Sequence, residues 1–399
     1  MFIEFTFNPK LLFILIYPLF KITGQFLTKL YIQKDNNLFR IFRTFLSKEF
    51  SFIFLLILKC MNKKDIIKED HEKNEESNTV KITDEEIKKI SRKNKIKSIL
   101  FLFLLSALNV GSYFFNYYLR KSSITFCRNS IGLFIRIIIF YVLSLFILKE
   151  KYYKHHYISM SIICVTLIAL FIIYLIKLHG SDNSIYNAFW YYLVYYSLYG
   201  LFDILLKKYF LVYFYSIYFV ILMIGAFACV PMLIYDIITY FVNKDISGII
   251  IGLINNAYSV KNAFLFIVDL LFLFASNLGI FWTIYYFSPF HLIIIEFIYE
   301  LINYYIRLSQ YKNATNPEIN INFTFLFEKL NIIIFSVVFF INFICSLIFN
   351  EIIILKFCKL EYYTKKYIKN RAGIDINSLF KEEVTNSTES ELVNFHNNE

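Results

Sequence analysis

Long apolar runs broken by short polar gaps recur along this chain, and the runs have the length of membrane helices. A hydrocarbon core of roughly 30 Å takes about 20 mostly apolar helical residues. Windowing on that rule predicts ten spans, near 11–31, 39–60, 97–119, 123–148, 156–177, 185–206, 209–241, 262–287, 289–308 and 327–355. Lys21 and Gln25 interrupt the first run, and the run 209–241 is long enough to tilt. The gap between the second and third runs, 61–96, is dense in charges of both signs and holds no Phe, Trp or Tyr. It is expected to be solvated and partly unstructured, with a short helix at its end. The polar segment 358–399, acidic at its end, is expected to be unstructured. The fold class predicted is therefore an all-α polytopic membrane protein.

Two stretches repeat inside this pattern. SALNVGSYFF at 106–115 and FASNLGIFWT at 274–283 lie 168 positions apart. They place Ala107 over Ala275, Asn109 over Asn277 and Gly111 over Gly279, with Tyr117 and Tyr118 over Tyr285 and Tyr286. The copies fall in the third and eighth runs, so ten runs divide into two units of five, 1–177 and 178–357. A unit with an odd number of helices, duplicated in tandem, enters the membrane the second time with opposite topology. That is the pattern of inverted-repeat carriers, whose two halves meet around a substrate site. Ala and Gly allow close helix approach. An Asn amide in hydrocarbon must face another helix or a wet cavity.

Composition adds weight to the membrane reading: 58% of the 399 residues are hydrophobic, 18% are charged, and the mean hydropathy is +0.55. The chain is rich in Phe, Tyr, Ile, Asn and Lys, as AT-rich coding would give, so its aromatic content is no sign of a stacking site. The six cysteines form no CxxC pair and read as small core hydrophobes. The net charge of +11 lies largely in loops and tail, where it reports topology rather than nucleic-acid binding. With a cytoplasmic N-terminus, the segments on that side hold roughly twice the Lys and Arg of the opposite loops. Both termini are then cytoplasmic, in a eukaryotic endomembrane or plasma membrane. The sequons at Asn313 and Asn322 fall on the far side and the one at Asn386 in the tail. The start is not basic and shows no clear cleavage site, so no signal peptide is expected.

Three features resemble a known group. Tyr118-Leu119-Arg120 closes the third run and is followed by Ser122-Ser123-Ile124-Thr125. Leu148-Lys149-Glu150-Lys151 closes the fourth, and the fifth opens on a basic and aromatic patch. Together with YYFSPFHLIIIEFIYELINYYI at 285–306, these resemble helices of the drug/metabolite transporter superfamily, its EamA-like and nucleotide-sugar-transporter-like (solute carrier 35-like) members. The resemblance spans about 340 residues in helix order. It implies a ten-helix fold, cytoplasmic termini, and transport or exchange of a small solute. Nucleotide-sugar and triose-phosphate carriers hold basic residues in the ninth helix; Glu296 and Glu300 stand there in this chain, which argues against a phosphorylated anion. The chloroquine-resistance branch carries a cysteine-bearing loop between helices seven and eight. Residues 242–261 contain no Cys, so that branch is not assigned.

Charges inside apolar runs are costly and mark candidate sites. Glu296 and Glu300 are one turn apart on one face of the ninth run, and the 168-residue offset makes Arg128 the counterpart of Glu296. One reading is that the two carboxylates bind a cationic group or a proton, with Arg128 setting their charge. The other is a structural ion pair between the repeats. Asn109 and Asn277 join the candidate set through the repeat. Asp269 joins it as a cavity residue or as a partner of Lys21 or Arg136, and His291, beside Ser288 and Pro289, as a gate or a helix-start residue. Asp203 and Lys207 read as a surface i,i+4 pair, and Asp236 as a side chain reaching the interface. His155-His156 has no Cys or Asp near it in the sequence, so no metal is assigned. No cofactor is predicted.

No P-loop, Rossmann glycine pattern, HExxH or nucleophile elbow occurs, so the chain is not read as an ATP-driven pump or an enzyme. The leading expectation is a secondary carrier of a small organic solute, working by alternating access. The alternative is a non-transporting membrane scaffold or receptor that recruits partners through loop 61–96 and the tail. Lipid and a small-molecule solute are the expected partners, nucleic acid is not, and a second copy of the chain and a cytoplasmic protein at loop 61–96 stay open.

Overall fold

The computed structural model describes residues 3–5, 17–24, 37–57, 84–121, 125–150, 152–178, 184–213, 215–243, 248–257, 259–312 and 329–355. Twelve helical segments are described. A short segment, α1, covers 17–24. α2 covers Asn37–Leu46 and passes through a 3₁₀ turn, Ser47–Phe50, into α3 at 51–57. Then come α4 (Asp84–Lys121), α5 (Thr125–Leu143), α6 (Lys154–Leu178), α7 (Ser184–Tyr213) and α8 (Ile217–Asn243). The last are α9 (Ile249–Ala257), α10 (Val260–Tyr286), α11 (His291–Lys312) and α12 (Lys329–Phe349). Three stretches among the described residues are long and apolar enough to cross a membrane: Asn94–Asn116, Ile217–Thr239 and Val260–Tyr286. Phe134–Leu148, Lys154–Leu170 and Ile333–Phe349 are shorter apolar helices. Such helices, with Leu100, Val165, Trp190 and Phe264 pointing outward, mark a membrane protein.

The helices pack into two apolar cores. One gathers α2, α4, α7, α8 and α10, with Leu292 and Ile295 of α11, around Phe45, Leu102, Leu206, Ile224 and Phe281. The other gathers α5, α6, α11 and α12, with Ile204 of α7, around Phe140, Leu167, Phe297 and Phe335. α7 lies against both α4 and α5, and α12 lies along α6. Gly200 lets α7 approach α5, since a Cβ there would stand 2.9 Å from the Ile139 Cγ2 methyl. α1 lies against α10 and α11: a Cβ on Gly279 would stand 3.1 Å from the Tyr17 backbone nitrogen, and the Tyr17 and Tyr299 rings are 6.2 Å apart. Beyond the helices, β1 (Ile3–Phe5) pairs antiparallel with β2 (Ile353–Leu355), Ile3 opposite Leu355. The pattern of apolar runs gave no sign of this ribbon.

The structure moves several boundaries. Lys207 and Lys208, expected at a turn, sit inside α7, which runs on to Tyr213. Lys207 donates from Nζ to the Tyr285 carbonyl at 3.1 Å, so the charge marks a contact rather than a chain reversal. The stretch 242–261, expected to be a loop, contains α9. Its first amides, Ile249 N–H and Ile250 N–H, donate to Asp236 Oδ2 at 3.1 and 2.9 Å. Asp236 is 4% exposed and caps this helix instead of reaching the interface. Gly248 turns into α9 with φ of +108°, a conformation glycine adopts without a Cβ penalty. The helix expected at the end of loop 61–96 begins at Asp84 and is continuous with the third apolar run. Residues 61–83, the tail from 356 and the three sequons lie outside the described residues.

Candidate functional site

Arg136 sits near the middle of α5, flanked by Leu133, Phe134 and Ile135 on one side and Ile137, Ile138, Ile139 and Phe140 on the other. It is 1% exposed. An ion so far from water needs counter-charges and hydrogen bonds in place. Its Nη2 donates to Asp203 Oδ2 on α7 at 2.5 Å, and its Nη1 donates to Glu296 Oε1 on α11. The guanidinium also lies over two rings, 4.3 Å from the Tyr199 centroid and 4.9 Å from that of Phe140. One cation thus joins three helices at the seam between the two cores.

The rim of this cluster is phenolic. Tyr17 is within electrostatic reach of Arg136, Tyr113, Tyr199 and Tyr299. Lys21, one turn along α1, donates to the Tyr17 hydroxyl and lies 4.0 Å from the Tyr299 ring centroid. The two carboxylates differ in access. The Asp203 side chain is fully buried, whereas that of Glu296 is 17% exposed. Glu296 is therefore the more accessible carboxylate of the two, while Asp203 is enclosed against the guanidinium.

A second buried charge group lies between the α2 end and α10. Arg43 Nη1 is 3.1 Å from Asp269 Oδ2, with side chains 6% and 0% exposed. Further along, Asn277 donates from Nδ2 to Ser47 Oγ at 3.3 Å. Lys48 is 1% exposed, with Nζ 4.4 Å from the Phe45 ring centroid. Here α8 comes close: a Cβ on Gly225 would stand 2.6 Å from Glu49 Oε1 and 3.1 Å from the Phe45 carbonyl oxygen.

A third group gathers where α6 begins and α12 ends. Tyr152 hydrogen-bonds Ser144 and donates to Glu150 Oε2 at 3.2 Å. Burial and the neighbouring Glu150 carboxylate push its phenol above the ordinary tyrosine range. His155 and His156 are 4% and 6% exposed, and His155 Nε2 stands 3.3 Å from Glu351 Oε1. Nearby, Met160, Phe290, Ser346 and Asn350 help line a cavity of about 10 Å³, the size of one water site.

The predicted residues divide among these groups. Glu296 reaches Arg136, an arginine of the fourth run that the sequence reading considers only as a partner of Asp269. The side chains of Arg128 and Glu300 lie outside the described residues. Asp269 pairs with Arg43 of α2. Asp203 is not a surface partner of Lys207; it is buried against Arg136. The two repeated asparagines are both buried. Their glycines are not equivalent, because a Cβ on Gly111 would meet only Leu198, at 3.8 Å, while Gly279 carries the α1 backbone. His291 is the first residue of α11: its Nδ1 is 3.1 Å from Ser288 Oγ, and its ring stacks on Phe287. Arg43, Lys48 and Glu49 escaped the sequence reading, although charges inside the run 39–60 were themselves a signal. No protein-family model matches the chain, and no curated protein matches it.

Proposed function

We propose that the chain is a secondary carrier of the drug/metabolite transporter type, with ten spans in two inverted halves, 1–177 and 178–357, moving a small organic solute by alternating access. The observation that carries this reading is the buried Arg136–Asp203–Glu296 cluster, which ties a helix of the first half to two of the second. Intramembrane charges that pair at the meeting of two halves are the usual makings of a carrier site.

The packing supports the repeat. The first core combines the second and third runs with the seventh and eighth, joined by α7 and by Leu292 and Ile295 of the ninth, and the second core combines the fourth and fifth with the ninth and tenth, joined by Ile204 of α7. Each core thus draws runs from both halves, most of them in equivalent pairs. The first and sixth runs are likewise used alike: α7 lies against the third and fourth runs, and α1 against the eighth and ninth. Polar links also cross the halves, from Ser106 Oγ to the Ile224 carbonyl at 3.0 Å and from Thr166 Oγ1 to Asn342 Oδ1 at 2.6 Å. The β1–β2 ribbon joins the two ends of the helical region, which requires an even number of crossings between them.

In this reading Glu296 is the exchangeable group. A proton or a cationic solute competes with Arg136 for it, and release of the Arg136–Glu296 contact frees α11 to move against α5. The test is uptake into liposomes loaded with purified protein, across a panel of amino acids, polyamines, nucleotide sugars and other metabolites, with and without a pH gradient. The expected outcome is saturable uptake of one solute class, lost or uncoupled from pH in Glu296→Gln while the variant stays folded. Uptake with unchanged pH dependence in Glu296→Gln would return that carboxylate to a structural role. If no solute is taken up and a cytoplasmic protein is captured only when loop 61–96 is present, the scaffold reading replaces the carrier.

A further inference from the structure

The α6 start and the segment after α12 bring together three side chains that the carrier reading does not use. His155, His156 and Glu351 each offer a ligand atom, and these atoms lie within 4.8 Å of one another. Their sequence separation hid the grouping: the histidines are adjacent, and the carboxylate arrives from 195 residues further on. From these residues we propose a zinc-class divalent cation site that clamps the start of α6 to the end of α12.

Three observations carry the proposal. First, the donor set of two imidazoles and one carboxylate is one that zinc takes, with an open fourth position for water. Second, the geometry is close to what the ion needs. Ligands about 2.0–2.1 Å from a tetrahedral zinc stand roughly 3.3–3.4 Å apart, and His155 Nε2 and Glu351 Oε1 are 3.3 Å apart. Third, His155 is buried, yet neither of its ring nitrogens has a hydrogen-bond partner among the described residues. Buried polar atoms are normally satisfied. A His155–Glu351 ion pair would still leave His155 Nδ1 buried with no hydrogen-bond partner among the described residues.

The surroundings hold the ligands. His156 Nδ1 accepts from the Tyr153 N–H at 3.2 Å, so that nitrogen presents a lone pair. Coordination through it exchanges a long hydrogen bond for a metal bond. The His156 ring packs edge-on against Phe349, the last residue of α12, with centroids 4.8 Å apart. Glu351 adopts φ of +56°, which turns the chain back from the helix end and brings its carboxylate to the histidines. The β2 strand follows at once, so an ion here would fix the last helix, the ribbon and the fifth run together.

The experiment is zinc titration by calorimetry on the full chain in detergent, purified without a polyhistidine tag and stripped with chelator, with magnesium and calcium run in parallel. One zinc per chain is expected, with neither magnesium nor calcium binding there. His155→Ala, His156→Ala and Glu351→Gln should each weaken zinc by about 100-fold or more, since loss of a ligand exceeds the 10–100-fold effect of an outer-shell change. His291→Ala should bind as the parent does. Glu351→Gln keeps side-chain shape at a partly exposed position, so it reads the site even where a histidine variant fails to fold. No zinc binding by the parent at 100-fold excess over protein overturns the proposal. So does binding of equal strength in the parent and in Glu351→Gln. The readout is metal binding and not uptake, so failure of the carrier reading leaves this test standing.

Discussion

Replacing Arg136 with methionine tests the central cluster most sharply. Methionine keeps much of the side-chain volume and removes the guanidinium. Asp203, with a fully buried side chain, would then have lost the donor held at 2.5 Å, and its Oδ1 already lacks a hydrogen-bond partner among the described residues. At an effective dielectric constant near 20, unit charges about 4 Å apart attract by about 4 kcal/mol. Breaking a buried pair from one side costs a similar amount, about 3–5 kcal/mol. Arg136→Met is therefore expected to destabilise the fold by about 3–5 kcal/mol, measured by equilibrium unfolding in mixed micelles. Asp203→Asn alone should cost less, because Glu296 still faces the cation. The double variant should lie well below the sum, with a coupling near the upper end of the 0.5–3 kcal/mol seen for contacting residues. A single-variant cost under about 1 kcal/mol, or additivity within about 0.5 kcal/mol, would refute the reasoning.

Arg43→Met should cost about 3–5 kcal/mol for the same reason and be partly rescued by Asp269→Asn, read in the same unfolding assay. Gly225→Ala forces a methyl against the Glu49 carboxylate and the Phe45 carbonyl. It should destabilise by about 1–3 kcal/mol, whereas Gly111→Ala, with open space, should be near neutral. Asp236→Ala removes the acceptor for two α9 amides and should cost about 1.5–3 kcal/mol. Its signature is faster amide exchange confined to the first turn of Ile249–Ala257, and unchanged protection there would show that the cap does not hold the helix.

The sequence by itself determined where the helices lie. Apolar content over twenty-residue stretches is a local property, and α4 to α8 and α10 to α12 fall on the third to tenth predicted runs. It also identified Glu296 and Asp269 as charges that needed partners, because a carboxylate in an apolar run is legible without a structure. Where polar residues were read as punctuation, it misled. Lys207 and Lys208 sit within a helix, where the long side chain of Lys207 reaches a carbonyl on its neighbour. The stretch before α10 is helical because Asp236, thirteen residues earlier, satisfies its first amides.

Which charge meets which was decided only by tertiary structure. The 168-residue offset pointed from Glu296 to Arg128, whose side chain lies outside the described residues, and gave no sign that Arg136, on the same helix, meets that carboxylate. Sequence spacing fixes neighbours within one helix, at three and four residues. It says nothing of the register between helices, which follows from how side chains such as Phe140, Phe297 and Ile204 fill the space between them. The same holds for Glu351. Its approach to His155 and His156 depends on α12 lying along α6 and on one left-handed residue at the helix end, and neither is written in the local pattern of hydrophobic and polar positions.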